Sequence, residues 1–250
     1  RLKDEGYTVK GKVGRRIIPA FIDLEDDPTL AEFAGTAITG HYAFDEQGVP
    51  ARRVVLVERG ILREYLLSRT PVGGFSRSNG HGRSDGRSRA QARMGVFIIR
   101  SREPQPREEL KRLLLEECRR QKKPFGLIIE KIDAGLTTTT THEFQAFSES
   151  PLRVLKVNAR TGEETRVRGV EIVGTPLTTI NRIVAMGDDY HVFNGFCGAE
   201  SGMIPQSEIA PSCVVSEIEV QRTSAENKRP PPPPPPGARP RPAAPRRRRD

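Results

Sequence analysis

A single cysteine stands in a run of small residues, Asn194-Gly195-Phe196-Cys197-Gly198-Ala199-Glu200-Ser201-Gly202-Met203-Ile204-Pro205. Glycines close to a thiol leave little bulk around it, so a metal ion, a substrate backbone or a second thiol could approach Cys197. The plain alternative is a small apolar side chain tucked into a turn, because free cysteine is among the most buried residue types. Of the other thiols, Cys118 recurs with Leu110 and Leu114 at four-residue steps on an apolar stripe, which assigns it to the core. Cys213 falls with Val215 on one side of an alternating segment and reads as structural. Three cysteines without metal-finger spacing suit a reducing compartment better than a disulfide framework. Among the four histidines, His142-Glu143 is followed by Phe144-Gln145-Ala146-Phe147, with no second histidine one helical turn on, so this sequence carries no helical metal-binding pair.

Two further stretches bear on ligand binding. Residues 73–92 are rich in Gly, Ser and Arg, with Arg77, Arg83, Arg87, Arg89 and then Arg93 spaced along the segment. Such a loop suits a substrate groove, where guanidinium groups hold peptide carbonyls or a terminal carboxylate; a solvated connection has the same composition. Thr137 to Thr141 are consecutive threonines, a run that favours extended backbone. Gly35-Thr36-Ala37-Ile38-Thr39-Gly40 is followed by His41, which excludes a nucleotide-binding Walker loop.

In sequence order, Gly11-Lys12-Val13-Gly14-Arg15, Asp26-Asp27-Pro28-Thr29-Leu30, Phe44-Asp45-Glu46-Gln47-Gly48-Val49-Pro50, Leu56 to Leu62, Ser78-Asn79-Gly80-His81-Gly82-Arg83, Val167 to Leu177 and Cys197-Gly198-Ala199-Glu200-Ser201-Gly202 resemble the C-terminal part of the TldD/PmbA metallopeptidases. The resemblance spans roughly residues 10 to 222. It implies a zinc peptidase acting on unfolded or short peptides held largely by their backbones. It also implies a working dimer or heterodimer with a paralogous PmbA/TldD-type subunit. The family holds zinc with two histidines and a cysteine, so Cys197 is the expected metal ligand, while the catalytic His-Glu-x-x-x-His helix is expected in an N-terminal half outside this sequence. Asn79, Gly80, Thr139 and Thr140 are the expected substrate contacts. A non-catalytic PmbA-like partner subunit is the first alternative, against which the Cys197-Gly198 pair favours the TldD branch; a protein whose interactions run through a Pro/Arg tail is the second.

The formal net charge of +9 concerns one end of the chain. Eight basic residues and one acid lie in residues 228–250, which leaves +2 for the first 227. The folded body is therefore nearly neutral, and nucleic-acid contacts are expected only as non-specific ones made by the tail. Pro230 to Pro236 followed by an arginine-rich end predicts a disordered Pro/Arg-rich tail over 223–250. No apolar run reaches the roughly 18 residues of a membrane helix, so a cytoplasmic protein without a membrane span is expected.

The elements that must carry these residues predict a strand-dominated α+β fold, with mixed or antiparallel sheets and one or two packed helices. A linking segment is expected over 1–50 and the main domain over 51–222. Ile17 to Ile22 reads as an edge strand because of Pro19, and Asp26-Asp27-Pro28 as a turn. Val54 to Val57 and Ile61 to Leu66 flank Arg59-Gly60 as a hairpin. A buried strand over 95–99 leads to an amphipathic helix ending near Lys122, with Glu108/Arg112 and Glu116/Arg120 as outer pairs. A strand over 125–132 follows. A second hairpin turns at Thr161-Gly162-Glu163. Thr175-Pro176 opens a helix running to Gly187, and residues 213–220 form a closing strand.

Overall fold

The computed structural model describes residues 9–138 and 146–222. Thr139, Thr140, His142 and the tail from residue 223 lie outside the described residues.

The first strand, β1 (Ile22–Asp26), is central rather than at an edge. It starts beyond the expected segment because proline has no N–H to give a ladder; the Pro19 carbonyl instead accepts the Ile22 N–H in a turn. Ile18 and Ile22 enter the core. The strand ends as Asp27 Oδ1 accepts the Thr29 N–H at 3.1 Å and hydroxyl at 2.6 Å, the turn that Asp-Asp-Pro predicts. After the short ladder of β2 (Glu32–Phe33) and β3 (Thr36–Ala37), strands β4 (Val54–Glu58) and β5 (Ile61–Leu62) form the expected hairpin. Arg59 and Gly60 both take positive φ, 49° and 74°, as this tight turn requires. A Cβ at residue 60 would lie 2.3 Å from the Ile18 carbonyl oxygen.

A second short ladder, β6 (Gly82–Arg83) with β7 (Gln91–Ala92), precedes the buried strand β8 (Val96–Ser101). Helix α1 (Arg107–Arg120) has Glu108 and Glu109 in its first turn and Arg119 and Arg120 in its last, which matches the helix dipole. It buries Leu110 and Cys118, as the apolar stripe predicts. Its ion pairs are Arg112 with Glu109 and Glu116, and Arg120 with Glu117. The expected Glu108/Arg112 and Glu116/Arg120 pairs give way because Arg112 bridges carboxylates both three before and four after it.

The longest pair follows, β9 (Phe125–Thr138) against β10 (Ala146–Asn158). The turn at Gly162 (φ 74°) joins β10 to β11 (Glu164–Val167), and Gly169 (φ 70°) leads into β12 (Val170–Gly174). Helix α2 (Pro176–Asn181) starts after Thr175 as expected but ends five residues before Met186. Residues Ile183–Met186 form β13 instead and pair with Cys213–Val215. A β-branched residue loses χ1 freedom in a helix and packs well on a sheet, and Ile183, Ala185 and Met186 bury themselves through that ladder. Strands β14 (His191–Ala199) and β15 (Gly202–Ala210) make a hairpin. The single closing strand expected over 213–220 is two pieces, β16 (Cys213–Val215) on β13 and β17 (Glu219–Arg222) on β12.

The main sheet has the order β14-β15-β8-β1-β4-β5, and its joint between β15 and β8 is parallel. Because β1 lies between β8 and β4, the boundary expected at residue 50 runs through the middle of this sheet. The second sheet runs β11-β10-β12-β17, with β9 also on β10. Helix α1 packs Leu110 against Ala185 and Val214 of the β13–β16 ladder, and its Leu114 and Cys118 close on Gly126 of β9. The fold is thus strand-dominated α+β with mixed and antiparallel sheets and two helices.

Candidate functional site

Cys197 lies in a strand, not in an open loop: it pairs with Ile204 across the β14–β15 hairpin. The connection is only Glu200-Ser201, and Gly202 takes φ 87°. Directly opposed residues project to the same side of a sheet. One side of the hairpin therefore carries Phe193, Cys197, Ile204, Gln206 and Glu208, and the other carries Asn194, Phe196, Met203 and Ser207. The thiol is half-buried.

The hairpin tip is fastened from outside. Arg93, itself buried, donates to Ser201 Oγ at 3.1 Å, to the Gly202 carbonyl at 2.7 Å and to the Cys197 carbonyl at 2.6 Å. One planar guanidinium thus ties both strands and the turn. The Asp85 N–H donates to the Ser201 carbonyl at 3.0 Å. A Cβ at Gly202 would lie 2.2 Å from Asp85 Oδ2, so the turn and the Asp85 loop touch. Asp85 Oδ1 accepts the N–H groups of Ser88 and Arg87, which hold its carboxyl below the usual range. At the base of the hairpin, Ser207 Oγ donates to Asn194 Oδ1 at 2.6 Å and accepts the Gly40 N–H.

The Arg-rich segment is consequently structured rather than a bare connection. Asn79 and Gly80 are both buried. Asn79 Oδ1 accepts the Leu67 N–H at 2.7 Å, and its Nδ2 donates to the Tyr65 carbonyl and to Glu64. The Gly80 carbonyl accepts the Tyr42 hydroxyl at 2.8 Å, and its N–H donates to Ser78 Oγ. Beside them His81 bridges Asn79 and Asp26 through its two ring nitrogens, and Asp26 accepts the N–H groups of Gly95 and Val96. This arrangement makes Asn79 and Gly80 internal supports whose polar atoms face the chain itself. The sequence alone did not reveal Arg93 as a clamp or the Asp26–His81–Asn79 chain; the only signal was a set of polar residues among small ones.

Residues 3–222 match the family described as PmbA/TldA metallopeptidase C-terminal domain. The chain belongs to the PmbA/TldD metallopeptidase family. A metalloprotease of Archaeoglobus fulgidus is 31% identical over 208 residues, covering 83% of this chain and 44% of that protein. A zinc metalloprotease TldD homolog of Saccharolobus solfataricus is 24% identical, covering 88% of this chain and 46% of that protein. The fold is similar to that of TldE from Thermococcus kodakarensis, with TM-score 0.61 and 18% identity over 85% of this chain and 42% of that one. The chain therefore spans less than half the length of the PmbA/TldD relatives it matches.

The relatives' names imply a metal. Among the described residues no group of three or more His, Cys, Asp and Glu is placed to hold one. The thiol of Cys197 is a good zinc donor but a single one, and catalytic zinc needs three protein ligands. These residues do not make a metal site by themselves.

Proposed function

We propose that this chain is the C-terminal part of a zinc-dependent peptidase of the TldD branch, giving Cys197 as one ligand to a metal held mainly by residues outside this sequence. One wall of the groove for unfolded or short peptides is the hairpin side that carries Cys197. The observation that supports this reading is the Arg93 clamp: it fixes the backbone of Cys197 while the thiol stays half-buried. A metal ligand needs that kind of held position. Asn79 and Gly80 then serve as supports behind the groove, and the threonine run contributes substrate contacts through Thr139 and Thr140. Catalytic acid–base groups are assigned to the remainder of the protein.

A second reading is a non-catalytic PmbA-like partner in a heterodimer with a paralogous subunit; the fold likeness to TldE fits this reading and the first alike. Zinc content decides between them. The chain joined to the histidine-bearing part is compared with its Cys197→Ala variant by metal analysis and peptide cleavage. The peptidase reading expects about one zinc per chain in the parent and loss of both metal and cleavage in the variant. A parent without zinc, or a variant that keeps it, makes the thiol structural and leaves the partner-subunit reading.

A further inference from the structure

Residues 67–79 form a loop closed on itself. At its neck Asn79 Oδ1 accepts the Leu67 N–H at 2.7 Å, while the Leu67 carbonyl accepts the Asn79 N–H at 3.3 Å and the Ser78 hydroxyl at 3.0 Å. At its tip the Phe75 N–H donates to the Val72 carbonyl at 3.0 Å, across a turn in which Gly74 takes φ 87°. From outside, Gln47 Oε1 accepts the Arg69 N–H at 2.7 Å, and the Tyr65 ring meets that of Phe75 edge-on with centroids 5.6 Å apart. Neck, flank and tip are each tied, so the chain itself sets the shape of the loop. Together with Val49 the loop lines a surface cavity of about 410 Å³, a volume in the range of small-molecule sites.

The lining of this cavity has one sign of charge. Arg69 and Arg77 both contribute to it, and among the described residues no acidic side chain does. Neither guanidinium has a hydrogen-bond or ion-pair partner among the described residues. Arg83 and Arg93, further along the same arginine-rich stretch, are by contrast engaged with Glu46 and with the hairpin tip. Ser68, only 6% exposed, adds a hydroxyl to the lining. Its Oγ accepts the Thr70 N–H at 3.2 Å, but its own hydrogen has no acceptor among the described residues. A buried O–H in that position is completed by an incoming lone pair. Val49, Leu67, Val72 and Phe75 supply the apolar part of the wall. Two uncommitted guanidinium groups and a spare hydroxyl donor select an anion. The apolar side chains select one with a hydrocarbon body over a fully hydrated ion such as phosphate.

We propose that the loop over 67–79 binds a carboxylate carried on an apolar body, with Arg69, Arg77 and Ser68 donating to the carboxylate and Leu67, Val72 and Phe75 covering the body. Two sources offer this chemistry: the C-terminus of a peptide with an apolar last residue, and a free short-chain carboxylic acid. The peptide as source rests on the peptidase reading; the charge and lining of the cavity do not.

The test is isothermal titration calorimetry of the full chain at low salt with N-acetyl-leucine and with its uncharged counterpart N-acetyl-leucinamide. The acid should bind about tenfold or more tightly than the amide, because charge-assisted hydrogen bonds are about twice as strong as neutral ones. Arg69→Gln and Arg77→Gln, both at exposed positions, should each weaken the acid about tenfold and change the amide less. Arg160→Gln, at an exposed position outside the loop, controls for net charge and should alter neither. No binding of the acid, equal binding of acid and amide, or acid binding that survives both cavity substitutions overturns the site. So does an equal loss in Arg160→Gln, or inorganic phosphate binding more tightly than N-acetyl-leucine. Hexanoate separates the two sources: N-acetyl-leucine binding more tightly than hexanoate assigns the cavity to peptide termini, and hexanoate binding as tightly or more tightly assigns it to free acids. The titration needs neither zinc nor the remainder of a peptidase. Its failure therefore leaves the Cys197 zinc test standing, and acid binding in a protein whose complete form holds no zinc keeps the cavity site while the peptidase reading falls.

Discussion

Arg93 is the residue on which the Cys197 hairpin depends most. Its guanidinium satisfies two backbone carbonyls and a hydroxyl in a buried position. Arg93→Ala would leave those groups unpaired, a loss of about 2–3 kcal/mol when buried acceptors lose a charged donor. Denaturant unfolding should show that loss, and alkylation of Cys197 should become faster than in the parent. Arg93→Lys should rescue little, since one ammonium cannot span three acceptors that a planar fork reaches. Glu149 makes a pH prediction. Its folded-state pKa is raised by burial and by Glu208, so the folded chain holds that proton more tightly than the unfolded chain. Stability is therefore lost as pH rises through the carboxylate range and beyond. Glu149→Gln should raise the melting temperature at pH 7 and change little at pH 4; a variant less stable at pH 7 would contradict this. At this scale the sequence marked Cys197 and Cys118 by their neighbours, but it could not mark Arg93. That role comes from contact with residues more than a hundred positions away, and composition assigns every arginine of the segment alike.

The elements divide into those set by local backbone chemistry and those set by distant pairing. The hairpin at Arg59-Gly60 and the turn at Gly162 were legible because positive φ is a property of a few neighbouring residues. Helix α1 was legible from its apolar period. The end of α2 was not, because Ile183 to Met186 become a strand only when Cys213 to Val215 arrive alongside. The early strand was misplaced for the same reason, since β1 is drawn into the sheet by β4 and β8. What holds β1 to the start of β8 is Asp26, which is fully buried, accepts from the Gly95 and Val96 N–H groups and shares a hydrogen bond with His81. Asp26→Ala should cost about 3 kcal/mol or more, the range for breaking a buried hydrogen-bond network. Asp26→Asn should cost less, because it keeps one acceptor. Chemical denaturation of the two variants tests the order, and equal losses would show that the charge matters more than the count of acceptors.

Along the whole chain, net positive charge is concentrated at one end. The first 227 residues carry +2 and the last 23 carry +7. Removing residues 228–250 should abolish salt-sensitive retention on a polyanion resin at low ionic strength. Retention that persists would place a basic surface on the folded body. The strand-dominated class, the family and the near-neutral body were all readable from composition and motif order. The central place of β1 and the internal role of Asn79 were not, since both depend on which strands meet.

The parallel joint between β8 and β15 sets an order of events during synthesis. Val96 and Ile98, on the edge that β15 will cover, leave the ribosome well before Ser207 and Ile209. Strands β1, β4, β5 and β8 can assemble early, but the sheet then carries an apolar open edge while more than a hundred further residues are made. Loop closure of that length is slow, and an uncovered strand edge invites wrong partners. A nascent chain halted near residue 200 is thus the species most exposed to capture by a chaperone or by another copy of itself. The hairpin that presents Cys197 is also the piece that closes this exposure.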